Sequence, residues 1–280
     1  MRNFTFKGLF LTAVFMLLGC FSIQAADDDL ITKQITINLD KAGTLPNKIA
    51  SSEMYKITNL KIIGEINGTD WNMIREMAGR DNRGYGTEGK LSVLDLSEAK
   101  IVKGGDSYYS GDNCYTSNDE IGEYAFKDCS RLTSLTLPVG ITSIGYDAFA
   151  YCSGLTSLTL PAGITSIGEF AFSYCSGLTS IYVYAEKVPR IGRYAFEGCA
   201  SRKCTLYVPK GTYDNYRLSE FGYFENIVEF DATGIDKTTT STDVEEVSRY
   251  SLNGQRLAVP VKGLNIVKYS DGTVRKVVVK

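Results

Sequence analysis

The chain has 280 residues, 30 Lys and Arg against 32 Asp and Glu, and no histidine. A net charge of −2 with no clustered basic face gives no electrostatic basis for nucleic-acid binding. The lack of His removes imidazole acid–base chemistry, His-based triads and zinc sites built on imidazole.

Residues 1–25 read as a targeting segment. Arg2 and Lys7 supply a positive start, and the apolar run GLFLTAVFMLLGCF is short for a membrane span. Two endings fit. Cleavage after Ala25, favoured here, leaves the acidic stretch 27–29 near the new terminus. Alternatively Leu17-Leu18-Gly19-Cys20 resembles a lipoprotein box, which makes Cys20 a lipidation candidate and the sole route to a membrane. Either ending predicts export, to the outer-membrane surface or the extracellular medium.

Residues 26–54 read as an N-terminal cap, because ITKQITINL (31–39) alternates apolar and polar residues like a half-buried strand. In DWNMIREM (70–77), Trp71, Ile74 and Met77 follow helical spacing, with Asp70 as N-cap and Gly79 as stop. Residues 80–89 are glycine- and charge-rich and read as a loop.

The centre of the chain repeats itself. LTSLTLPVGITSIGYDAFAYCSG (132–154) is followed at once by LTSLTLPAGITSIGEFAFSYCSG (155–177), a period of 23 residues. Ile-Gly followed by Ala-Phe recurs at Ile121/Phe126, Ile144/Phe149, Ile167/Phe172 and Ile191/Phe196, each trailed by Cys129, Cys152, Cys175 or Cys199. The opening L-x-x-L-x-L returns, weakened, from Ile57, Leu91 and Leu178 and near Leu206, giving about six coils. Alternate leucines face inward from a short strand, Pro138 and Pro161 end it, and Ala-Phe fills the core from the far wall. The predicted fold is a β-rich α/β leucine-rich-repeat solenoid over 55–231, its last coil closed by a C-terminal cap. A threonine-rich linker (232–246) and a small β-hairpin tail (247–280) follow. Asn253-Gly254 and Asp271-Gly272 supply the hairpin signals of that tail.

The row of cysteines reads as buried apolar thiols, since parallel Cβ vectors oppose disulfide torsions. Cys114 with Cys204 is the better candidate for an oxidised pair. From Leu91 to Arg131 the second coil is 41 residues long, 18 above the norm, and the excess falls on 103–120. There and in 80–89, Tyr85, Tyr108, Tyr109 and Tyr115 sit among Gly, Ser, Asn and Asp, a composition of adaptable contact loops. On the strands, Ser134, Thr136, Ser157, Thr159, Ser180, Tyr182 and Tyr207 fall at outward positions. Six coils at ~4.8 Å and a strand of about 17 Å give roughly 490 Å², below the ~800 Å² per partner of a standard interface. The loops must therefore contribute. Tyr151 and Tyr174, one coil apart, read as stacked wall residues. No catalytic set, phosphate loop or EF-hand spacing is present, so no enzyme, metal or cofactor is expected.

The combination of Pro-x-Gly-Ile, Ile-Gly, Ala-Phe-x-x-Cys and the 23-residue spacing resembles the BspA-like leucine-rich-repeat surface proteins of the Bacteroides group. LYVPKGTYDNY (206–216) looks like the terminal coil seen there. TGID (233–236), RYSLNGQRL and KGLNIVKY…VVVK resemble a short tail of exported proteins of that group, whose relatives act as sorting signals. The resemblance implies a monomeric adhesin for an extracellular protein or glycan. A glycan-binding module, built on an exposed patch of Tyr182, Tyr184 and Tyr207, and a non-binding spacer of the cell envelope are the alternatives.

Overall fold

The computed structural model describes residues 29–109, 114–232, 246–251, 255–257, 259–269 and 274–279. The targeting segment with Cys20, most of the linker and both hairpin dipeptides of the tail lie outside the described residues.

In chain order the elements are β1 (Ile35–Leu39), β2 (Asn59–Ile66), α1 (Gly68–Met77) and β3 (Val93–Ile101). The long insertion then forms an antiparallel hairpin of β4 (Gly104–Tyr109) and β5 (Cys114–Thr116). Coils follow with β6 (Glu120–Ile121), β7 (Ser134–Thr136), β8 (Ser143–Ile144), β9 (Ser157–Leu160), β10 (Ser166–Ile167), β11 (Ser180–Val183) and β12 (Arg190–Ile191). The stack ends in β13 (Thr205–Pro209), α2 (Tyr213–Arg217), a 3-10 turn (Glu220–Tyr223) and β14 (Asn226–Phe230). The tail carries β15 (Glu246–Ser251), β16 (Arg256–Leu257), β17 (Gly263–Tyr269) and β18 (Val274–Val279).

The leucine-rich strands are parallel and register coil on coil. Leu60 pairs with Leu94 and Leu94 with Leu135; Leu158, Ile181, Leu206 and Ile227 continue the same row. A second parallel sheet, β6-β8-β10-β12, aligns Ile121, Ile144, Ile167 and Ile191 along another side of the coil. Each inter-coil interface therefore repeats the last, so one coil buries the flat face of its neighbour. The fold is the β-rich leucine-rich-repeat solenoid that the period predicts, and β1 pairs in parallel with β2 at its start.

Phe126, Phe149, Phe172 and Phe196 form a stacked ladder inside, with ring centroids 5.3, 5.0 and 5.5 Å apart. Trp71 of α1 closes one end against Phe126 at 5.2 Å; Phe221 and Phe224 close the other against Phe196. Ile-Gly is fixed by this close stacking: a Cβ on Gly168 would stand 2.6 Å from backbone atoms of the preceding coil. All six described cysteines are buried thiols. Cys152, Cys175 and Cys199 donate to the carbonyls of Phe126, Phe149 and Phe172 one coil back, at 3.0, 3.1 and 3.2 Å. No disulfide joins Cys114 and Cys204, the better candidates for an oxidised pair. Cys114 belongs to the hairpin near the first coils, and Cys204 precedes β13 three coils later.

The helix begins earlier than the sequence suggests. Asn67, not Asp70, is its N-cap, and Asp70 completes the capping box from the third helical position. Fully buried, Asp70 also accepts from the N–H groups of Gly43 and Leu45 at 2.6 and 2.8 Å, which ties the N-terminal cap to α1.

Candidate binding surface

Two surfaces of the solenoid carry the residues singled out from sequence, and they are built differently. The wall runs through the Ile-Gly-x-x-Ala-Phe-x-x-Cys segment. Each copy holds two residues in the left-handed region. Tyr124, Asp147, Phe170 and Tyr194 occupy one position, with φ of 56, 52, 55 and 58°. Asp128, Tyr151, Tyr174 and Gly198 occupy the other, with φ of 63, 62, 56 and 74°. Left-handed geometry lets the chain turn twice within a few residues while keeping Ala and Phe inward. Glycine, asparagine or aspartate adopts it most cheaply; an aromatic residue pays about 1 kcal/mol or more.

The wall aromatics are in contact along the stack. Tyr109 of β4 stacks on Tyr124 at 4.7 Å; Tyr146, Phe170 and Tyr194 continue the series at 5.5, 5.9 and 5.3 Å. Tyr151 and Tyr174 form a second pair, stacked at 4.9 Å, as the sequence predicts. Gly198 ends that pair because its Cα lies over the Tyr174 ring, where an added Cβ would approach Cδ1 to 2.6 Å. Tyr151, Tyr174 and Tyr194 stay 46, 45 and 58 % exposed.

Both enlarged loops lean on this wall. Arg75 is buried and donates from Nη1 to the carbonyls of Tyr124 and Ala125 at 2.6 and 2.9 Å. Arg80 Nε donates to the Asp128 carbonyl at 3.1 Å. Thr69 Oγ1 donates to Asp106 at 2.8 Å, and Asn72 Nδ2 to the Ser107 carbonyl at 3.1 Å, fastening the hairpin to α1. Tyr85 and Tyr115 emerge from this corner 68 and 57 % exposed. Tyr108 does not. It is a core residue packed near Trp71, its hydroxyl donating to the Glu123 carbonyl at 3.0 Å, and burial raises its pKa. Tyr109 is half-buried beneath Arg75, whose guanidinium lies 5.4 Å from the ring centroid.

The strand face behaves otherwise. Thr136 and Thr159 are partly exposed, but Ser134 and Ser157 are buried rather than solvated. Tyr182 and Tyr207 stack at 4.4 Å, and Phe230 meets Tyr182 and Tyr184 edge-on. That patch is covered: Ile266 and Val274 of the tail pack on Tyr182 and Phe230, with Tyr184, Tyr207 and Tyr250 around them. Tyr182 is therefore buried, and Tyr207 half-buried. Tyr146, Phe170 and Tyr194 escaped the sequence reading, although their 24-residue spacing ahead of Ala-Phe was the available signal.

A parallel stack of 23-residue coils with inward leucines defines a leucine-rich-repeat solenoid. Residues 113–219 match the family model described as BspA type leucine rich repeat region, in six copies. Repeats of this kind point to protein binding or a surface role. A solved leucine-rich repeat protein from Bacteroides ovatus is similar at 22% identity and a TM-score of 0.34. The match covers 71% of this chain and 42% of that one, so the chain spans less than half of that protein's length. No curated protein matches the chain. Among the described residues no helix is long and apolar enough to cross a membrane.

Proposed function

We propose that the protein is an exported, monomeric surface or secreted adhesin that contacts an extracellular protein through its aromatic wall. Tyr85, Tyr115, Tyr151, Tyr174 and Tyr194 supply the contacts, and Thr136 and Thr159 extend them on the strand side. One observation carries this reading. Exposed tyrosines occupy left-handed positions where Gly or Asn would cost less, and their exposure gives little burial in return. Strain of that kind marks a site retained for a purpose other than folding. Tyrosines presented at low conformational entropy by a rigid scaffold also suit protein recognition. The reading assigns no catalysis, cofactor or metal.

The test is binding of the chain lacking residues 1–25 to immobilised extracellular proteins and glycans, beside two variants. One carries Tyr151→Gly, Tyr174→Gly and Tyr194→Gly; the other Tyr85→Ser and Tyr115→Ser. Saturable binding to a protein, weakened at least tenfold by the first set while the protein stays as resistant to unfolding or more so, is the expected result. Binding to glycans alone would move the weight to the glycan reading, and silence across the panel to the spacer. Deleting 103–120 is a poor substitute, because Tyr108 and the hairpin contacts to α1 leave with it.

A further inference from the structure

The tail sheet has the order β16-β15-β17-β18 and is antiparallel throughout. Its interior is organised by Arg249, which grips Glu246 with Nε and Nη2 at 2.9 and 2.6 Å and donates to Asn265 Oδ1 at 3.1 Å. Its apolar side chains, Ile266 and Val274, sit on the aromatic patch of Tyr182, Tyr184, Tyr207 and Phe230. This cluster is separate from the main core, which ends at Phe221 and Phe224. Lys276 adds a cation, its Nζ 5.4 Å from the Tyr184 ring centroid. The contact also carries a cost, because the Tyr184 hydroxyl is buried with no hydrogen-bond partner among the described residues. Burial without a partner is a penalty that release to water removes.

We propose that the C-terminal sheet is a releasable plug on this patch, and that the patch is a docking surface for a β-structured segment offering branched aliphatic side chains and a lysine. The plug is the template for that partner: aliphatic branches against stacked tyrosines, and one ammonium over Tyr184. The intact chain keeps the surface occupied in cis, held there by the high effective concentration of a tethered segment. Severing the chain between the last coil and the tail opens it. The proposal rests on the binding reading only for what the opened patch meets in nature, and its test uses no ligand but the chain's own tail.

Tyrosine nitration mapped by mass spectrometry reads the patch directly. In the intact chain Tyr182, Tyr184 and Tyr207 are expected to resist modification while Tyr151 and Tyr174 react. A protease site placed within 233–245, cut and then diluted, should expose all three patch tyrosines while core Tyr108 and Tyr216 stay protected. Val274→Asp in the uncut chain should do the same. A synthetic peptide of residues 246–280 should restore protection, and a scrambled peptide should not. Patch tyrosines that stay protected after cutting and dilution would overturn the idea. So would simultaneous loss of protection at Tyr216, since the tail would then be an inseparable part of one fold. Failure of the peptide to restore protection would equally refute a docking surface.

Discussion

Phe149 has a neighbouring ring on each side, at 5.3 and 5.0 Å, and no exposed surface. Removing it leaves a gap that neither flanking coil closes without breaking strand register. Phe149→Ala should therefore cost about 3–5 kcal/mol, and Phe149→Leu markedly less, in urea unfolding. The thiols of Cys152, Cys175 and Cys199 are each satisfied by a carbonyl one coil back, and burial pushes the Cys129 thiol up to about 11 and those of Cys199 and Cys204 to about 12. The unfolded chain ionises these thiols first, near pH 8.5. Stability from them is thus complete below that pH and declines as pH rises toward their folded values. With no His to titrate, the urea midpoint should be level between pH 7 and 8.5 and fall above about 9. Iodoacetamide at neutral pH should leave the six buried thiols unmodified until denaturant is added.

The helix α1 shows what an element needs beyond periodicity. Trp71, Ile74 and Met77 announced it, and they do face the core. Its start was misplaced because Asp70 is a good capping residue by type, whereas the backbone breaks at Asn67, the first member of the Asn-x-x-Asp capping box that Asp70 closes. The same carboxylate accepts from Gly43 and Leu45, contacts between segments 25 residues or more apart that sequence spacing does not encode. Asp70→Ala should leave three backbone donors unanswered and cost about 2–4 kcal/mol, with the loss of amide-exchange protection concentrated in residues 35–47 and α1. Asp70→Asn, which keeps one acceptor, should cost less. The hairpin of β4 and β5 hid for a related reason. Its polar, tyrosine-rich sequence has the look of a free loop, and only the packing of Tyr108 beside Trp71 shows it to be half core.

Across the whole molecule the period was the most legible feature, because 23-residue spacing dictates inward leucines, stacked phenylalanines and parallel register together. Which outward residues stay exposed was not legible. Tyr182 and Tyr207 sit at outward positions, yet they are covered by a segment more than 50 residues later in the chain. The wall was half legible: Tyr151 and Tyr174 repeat visibly, whereas Tyr146 sits one position ahead of the place that Phe170 and Tyr194 share, so the three meet only in space. Because 132–154 and 155–177 present nearly the same two faces, deleting residues 155–177 should leave a folded protein with the same end caps. Its melting temperature should fall by several degrees, since one inter-coil interface is lost from a nearest-neighbour stack. Calorimetry on the shortened chain would check this; complete unfolding would mean that the copies are not interchangeable.

The near-identity of those copies makes the wall a ruler. Each added copy advances the aromatic rungs by one step of about 5 Å, the separation of Tyr151 from Tyr174. Misaligned recombination between the two copies would lengthen or shorten the series by whole steps without altering any interface inside it. Reach along a partner's surface would then change in fixed increments, through copy number alone and with no new side chain.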